Sequence, residues 1–207
     1  MAVIHDIEIG EIGIVGGVNL EVPYIAGRFS GDLLVMGCGG TLWNDYAKVH
    51  DRFKGDYMAV NKVIIDFPAP LTHAVSCHPY HLLLLMFLRQ DTYPLHPHVY
   101  SHSCDISDWG NYEEHLIPQF VWFFPEYRYG SSTLHGVLAA LIMGYDNIIL
   151  AGCPMNSGGH YYNPFWIHDY DKTFMEEWER AAKKCFHGKV TSLSGNTREL
   201  LGAPKGY

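Results

Sequence analysis

From residue 32 onward the chain alternates short, uninterrupted apolar runs with longer segments whose apolar residues recur at helical spacing. A strand covered on both faces needs the first pattern, and a helix with one buried stripe needs the second. The runs predict strands at Leu33–Met36, Tyr57–Val60, His73–Cys77, His98–Ser101, Phe120–Phe123, Asn147–Gly152 and Lys189–Leu193. Between them, helices are predicted near Thr41–Phe53, Tyr80–Arg89, Ser131–Tyr145, Asp169–Phe186 and Thr197–Leu201. Ser131–Tyr145 offers the small residues Gly136, Ala139 and Ala140 for its buried side, whereas Asp169–Phe186 is charged and amphipathic. Alternation of this kind implies an α/β domain whose mostly parallel sheet is covered on both faces.

Residues 3–27 follow another rule. Ile4, Ile7, Ile9, Ile12, Ile14, Val18, Leu20 and Val22 are spaced in an alternating, glycine-punctuated way that suits short β strands. The expected organisation is a β-rich N-terminal extension over residues 1–30 followed by one α/β domain over 31–207, without repeats or low-complexity linkers.

At 207 residues, 48% hydrophobic and 17% charged, the chain has a globular composition with enough apolar material for one core. A formal charge of −8 lacks the basic footprint that a nucleic-acid backbone requires, so no nucleic-acid partner is expected. Five cysteines, odd in number, widely spaced and never in Cys-x-x-Cys pairs, fit reduced thiols in a cytoplasmic protein. No secretory signal is read, and the apolar run Leu82–Leu88 is too short for a transmembrane segment.

In parallel sheets the ligand crevice lies outside the carboxyl ends of the strands. Those ends carry Gly37–Thr41, Asn61, His78 and Cys153–Tyr162. The first is the most informative: a buried strand running into Gly37-Cys38-Gly39-Gly40-Thr41 is where backbone N–H groups can face a phosphate or ribose. The competing reading is a tight turn.

Taken in order, Gly37-Cys38-Gly39-Gly40-Thr41-Leu42, Ala59-Val60-Asn61, Ala74-Val75-Ser76-Cys77-His78-Pro79, Ser132 opening a helix that ends Gly144-Tyr145, and Ile148-Ile149-Leu150-Ala151-Gly152 resemble the bacterial sialyltransferases that use CMP-sialic acid. The order is similar, more loosely, to the 6-hydroxymethylpterin diphosphokinase-like family and to flagellin-modifying motility accessory proteins. The resemblance spans about residues 32–204 and implies a Rossmann-like three-layer, nucleotide-binding catalytic domain.

It also implies roles for particular residues. Gly37, Cys38, Gly39, Gly40 and Thr41 fall on the family's phosphate- and ribose-holding loop, with Cys38 in place of an asparagine and Gly40 in place of a proline. Asn61 falls on a cytidine-contacting asparagine, His78-Pro79 on an Asn-Pro, and Ser132 on a serine that reaches phosphate or carboxylate. For Ser132 the plain alternative is a helix N-cap. Pro154 and Asn156 stand where the family has an aspartate and a tyrosine. Tyr162, with Tyr161 competing, falls on the tyrosine that steadies the departing phosphate, and His168 on the base that takes the acceptor proton.

The implied function is a metal-independent glycosyltransferase that moves a sugar from a nucleotide-activated donor, CMP-linked donors included, to a glycan or other hydroxyl acceptor. No cofactor is expected beyond that donor, and a homo-oligomer is left open. The alternatives are a diphosphokinase-type phosphoryl transferase and a binder that sequesters a nucleotide without turnover. A zinc reading of His73, Cys77, His78 and His81, or of His96, His98, His102 and Cys104, lacks the spacing of known motifs. Asp169-Tyr170-Asp171 reads as helix capping rather than as a metal-binding Asp-x-Asp, and Cys38 and Cys153 as buried thiols rather than nucleophiles.

Overall fold

The computed structural model describes residues 2–4, 6–9, 12–15, 18–20, 25–93, 99–103, 120–156, 158–165 and 171–207. The N-terminal extension forms two antiparallel pairs, β1 (Ala2–Ile4) with β2 (Ile7–Ile9) and β3 (Ile12–Val15) with β4 (Val18–Leu20). Ile7 is fully buried and belongs to the main core, which ties the first pair to the body.

The body follows as β5 (Asp32–Met36), α1 (Leu42–Val49), β6 (Asp56–Val60), α2 (Val63–Asp66), β7 (His73–Ser76), α3 (Pro79–Thr92), β8 (Tyr100–Ser103) and β9 (Phe120–Val121). It closes with α4 (Ser132–Met143), β10 (Asn147–Ala151), α5 (Asp171–Lys184), β11 (Val190–Ser192) and α6 (Gly195–Leu201). Seven strands form one sheet in the order β11-β10-β5-β6-β7-β8-β9, every neighbouring pair parallel. The chain starts at β5, builds outward to β9, then returns to place β10 on the other side of β5. The order therefore reverses between β5 and β10.

Strand alternation divides the core into two layers, because successive side chains leave a strand on opposite faces. Leu33 and Val35 join Met58, Val60, Val75, Ile148 and Leu150 beneath α4 and α5. Leu34 and Met36 join Ala59, Ala74, Ile149 and Ala151 beneath α1, α2 and α3. The result is the expected Rossmann-like three-layer α/β fold, with a sheet that is wholly rather than mostly parallel among the described residues.

Helix α4 is the central packing element: every residue from Thr133 to Met143 is buried. Gly136 makes this possible, since a Cβ there would already stand 3.1 Å from Met58 Sδ. The helix stops at Gly144, whose φ of +107° lets its N–H reach the carbonyls of Ala140 and Leu141.

Several element bounds differ from the pattern-based reading: β9 ends at Val121 instead of Phe123, and α3 extends to Thr92 instead of Arg89. Helix α1 ends at Val49 instead of Phe53, where the Arg52 and Phe53 N–H groups both close on the Val49 carbonyl in a terminal turn. Helix α2 is only one turn, too short to show a periodicity. Strand β8 runs two residues beyond the expected end at Ser101. Among the described residues, no helix is long and apolar enough to cross a membrane.

Candidate functional site

The reversal of strand order leaves a crevice at the carboxyl edge of the sheet, the usual ligand position in open α/β folds. A cavity of about 290 Å³ lies there. Cys38 and Gly39 enter it from the end of β5, Asn61 from β6, His78 from the entry to α3, and Ser131–Thr133 from the first turn of α4. Gly152–Asn156 close it from β10, with Gly159 and His160 from the following loop and Phe174 from α5. The volume is at the small end of the range for ligand pockets, roughly 300–1,000 Å³.

Two backbone conformations single this cavity out. Asn61 has φ +53° and Met155 φ +46°, left-handed values that cost a side-chain-bearing residue energy. For Met155, a long apolar residue, the left-handed region is a genuine outlier. The other two such non-glycine residues among those described, Asp6 and His187, lie elsewhere and pair with each other at 3.1 Å.

Asn61 and Ser132 meet across the cavity wall. Asn61 Nδ2 donates to Ser132 Oγ at 3.4 Å, and the Cys77 N–H lies at the same distance from that oxygen. Capping falls to the preceding residue: Ser131 Oγ accepts from the Leu134 N–H at 3.3 Å. Ser132 is thus the first residue of the helix proper, and its hydroxyl is left to the cavity wall instead of acting as the cap. The N–H groups of Ser132 and Thr133 belong to the first turn, where α-helical geometry supplies no intrahelical acceptor. With the positive end of the α4 dipole, they make this wall suited to an anion.

The glycine loop is built differently from the expected phosphate cradle. The N–H groups of Gly37, Gly39 and Gly40 donate to the carbonyls of Ala151, Gly152 and Gly159 at 2.9, 2.8 and 3.0 Å. These bonds stitch β5 to β10 and to the loop beyond it. Small residues are required here by the protein's own backbone: a Cβ on Gly39 would stand 2.4 Å from Pro154 Cδ and 2.7 Å from the Gly152 carbonyl oxygen. The tight-packing reading therefore accounts for the glycines without a ligand.

Thr41 is also turned inward. Its hydroxyl donates to Asp45 Oδ2 at 2.9 Å, and the same oxygen accepts from Ser194 Oγ at 2.5 Å and from the Gly152 N–H at 3.1 Å. Lys48 Nζ binds the other carboxylate oxygen at 2.9 Å. Asp45, fully buried, thereby ties α1 to the ends of β10 and β11.

Of the residues selected from sequence, Cys38, Gly39, Asn61, His78, Ser132 and Asn156 come together in the cavity lining, whereas Gly37, Gly40, Thr41, Tyr161 and Tyr162 stand outside it. Tyr161 donates its hydroxyl to Asp66 Oδ2 at 2.5 Å, and burial together with that bond holds its ionisation above the ordinary phenol range. Tyr162 stacks on His160, ring centres 5.0 Å apart, under the Lys62 ammonium; burial pushes its hydroxyl up to about 12. Asn156 Oδ1 accepts from the Gly158 N–H, closing a local turn. His168 lies outside the described residues.

His160, Met155 and Phe174 complete the cavity without having been assigned roles from sequence. A signal for His160 existed: it stands in the Cys153–Tyr162 segment that follows β10 at the carboxyl edge of the sheet, and it bridges to Gly39 there. Phe174, on an amphipathic helix, carried no distinguishing sign.

The thiols of Cys38 and Cys153 are held by carbonyls, Val60 and Ala151 respectively, each at 3.3 Å. Burial pushes them up to about 11 and about 12, which suits packing and not attack.

His73 begins β7 at the opposite, amino edge of the sheet, and His102 on β8 lies against it. Trp122 Nε1 can only donate, and it lies 3.1 Å from His102 Nδ1. His102 must then donate from Nε2 to His73 Nδ1 at 3.0 Å, and His73 from Nε2 to the Tyr145 hydroxyl at 2.7 Å. Tyr145 donates in turn to Asp56 Oδ2 at 2.6 Å, so one ordered chain runs from indole to carboxylate. Burial lowers His73 to about 3 and His102 well below the ordinary imidazole range. His78 and His81 meet edge to face at 5.2 Å on the other edge, while His96, His98, Cys104, Asp169 and Tyr170 lie outside the described residues. Among the described residues, no group of three or more His, Cys, Asp and Glu side chains could hold a metal ion.

Comparison with protein-family models, with curated proteins and with solved structures finds no match to this chain.

Proposed function

We propose that the cavity binds a nucleotide-activated sugar and that the protein transfers the sugar to an acceptor hydroxyl, in the manner of the sialyltransferases its motif order resembles. The observation that carries this reading is the meeting of Asn61 and Ser132 at the first turn of α4, at the strand-order reversal of a wholly parallel sheet. Helix N–H groups and dipole supply an anion site for the donor phosphate, and the amide and hydroxyl supply polar groups for ribose or base. In the transfer, an imidazole takes the acceptor proton, the acceptor oxygen bonds to the anomeric carbon, and the bond to phosphate breaks. Negative charge then grows on the departing nucleotide, beside the α4 terminus. His168 is the base implied by the resemblance; His78 and His160 are the imidazoles of the cavity lining.

One observation favours a second reading, binding without turnover. The hydroxyls of Thr41, which the resemblance assigns to the donor, and of Tyr161, the competitor of Tyr162 for the departing phosphate, are engaged by Asp45 and Asp66. A thermal-shift panel of nucleotides and nucleotide sugars, followed by assay of free nucleotide release with hydroxyl acceptors, tests both. A specific ligand raises the melting temperature by mass action. Stabilisation with acceptor-dependent release supports transfer, stabilisation alone supports the binder, and no stabilisation by any member contradicts both.

A further inference from the structure

Behind the cavity wall, a thiol and an imidazole form a pair that neither reading uses. Cys77 Sγ lies 3.0 Å from His135 Nδ1. His135 Nε2 lies 2.6 Å from the Tyr127 carbonyl, which can only accept. The proton of the neutral ring therefore sits on Nε2, and Nδ1 presents its lone pair to the thiol. If the thiol proton moves to Nδ1, both ring N–H groups still have acceptors, the carbonyl and the sulfur. The arrangement is that of a nucleophile, a base and a group that orients the base.

The position of Cys77 adds a second influence. It directly precedes His78, the N-cap of the 14-residue helix α3, and its own N–H lies 3.4 Å from Ser132 Oγ in the first turn of α4. Two helix amino ends thus flank this residue, and such ends favour negative charge beside them. Cys77 also retains 8% exposure beside His78 and Ser132, both of which line the cavity, whereas Cys153 and Cys185 retain 2% and 1%. Cys38 is as exposed as Cys77, but its thiol faces the Val60 carbonyl, which is no base.

We propose that Cys77, activated by His135, is a covalent modification site, open to small disulfides and related sulfur electrophiles. His135 Nδ1 takes the thiol proton, and the sulfur attacks one sulfur of the disulfide. A new S–S bond forms as the old one breaks. The departing thiolate takes the proton from His135 and leaves as a thiol, so the small disulfide is the oxidant and is itself reduced. This inference does not depend on the nucleotide-sugar reading.

The test is timed reaction of the native protein with methyl methanethiosulfonate, which transfers a methylthio group and releases methanesulfinate. Peptide mapping scores every cysteine separately, Cys104 included. Cys77 is expected to react first among the described cysteines, at least about tenfold faster than Cys38, Cys153 and Cys185, and His135→Asn is expected to slow it by about tenfold or more. Reaction of Cys77 no faster than Cys38, or at an unchanged rate in folded His135→Asn, overturns the proposal. Should that variant fail to fold, the order of labelling in the unaltered protein still decides.

Discussion

Asn61 and Ser132, 71 residues apart in sequence, meet at 3.4 Å and join the end of β6 to the first turn of α4. The contact exists because Asn61 leaves its strand in a left-handed conformation, φ +53°. A residue that gains only packing from its position has no need of such a backbone, and the strain points to a task for the amide.

Replacing Asn61 with glycine separates the two effects. Glycine adopts the same φ without penalty, so stability is expected to stay within about 1 kcal/mol of the parent. Affinity for the nucleotide ligand is expected to fall about tenfold, through loss of a polar contact worth ~1.4 kcal/mol. Paired denaturant unfolding and titration calorimetry check this; unchanged affinity would show that the amide has no part in binding.

Gly39→Val is a stability variant. The new side chain meets Pro154 and the Gly152 carbonyl within the protein, at Cβ distances of 2.4 and 2.7 Å. Overpacking of this kind costs about 1–3 kcal/mol or more. A lowered melting temperature in the absence of any ligand is expected, and parental stability with blocked binding would restore the phosphate-loop view of Gly37–Thr41.

Asp45→Asn disturbs a buried carboxylate that accepts from Thr41, Ser194, Gly152 and Lys48. Each hydrogen bond to a charged group contributes ~1.5–3 kcal/mol, and an amide cannot accept all four. A loss of about 3 kcal/mol in chemical denaturation is expected. A variant as stable as the parent would mean that the carboxylate is not the tie between α1, β10 and β11.

The indole-to-carboxylate chain makes stability depend on acid. Because the folded protein holds His73 near 3 and His102 well below the ordinary imidazole range, the unfolded chain binds protons that the native state refuses once pH falls below about 6.5. Stability from this source is complete above that pH and is lost progressively as pH drops toward 3. His73→Gln is expected to be about 1–3 kcal/mol less stable at neutral pH, through unsatisfied partners, yet to show a shallower fall in melting temperature between pH 7 and pH 4. Parallel curves for parent and variant would remove His73 from the acid response.

The fold was legible where one physical constraint acted alone. Leu33–Met36 and Asn147–Gly152 read as strands because both faces are buried, and α4 as a helix with small residues on its buried side, where Gly136 packs against Met58 and Val75. The site was only partly legible, since a glycine after a strand looks the same whether it faces a phosphate or a neighbouring carbonyl. Gly39 and Thr41 were attractive as ligand contacts, yet three-dimensional packing commits them to Gly152 and Asp45. The pairing of Cys77 with His135 was equally hidden, for it joins residues 58 positions apart through a carbonyl at Tyr127.

In the proposed transfer, the amino end of α4 holds the phosphate of a nucleotide-activated donor. The most direct measurement is amide chemical-shift mapping during titration with nucleotide sugars, CMP-linked donors among them. Saturable shifts of the Ser132 and Thr133 amides and the Asn61 side chain are expected, with Tyr145 and His73 at the opposite edge unmoved. Saturable binding that leaves Ser132 and Thr133 unperturbed, or no response to any nucleotide sugar, would contradict it.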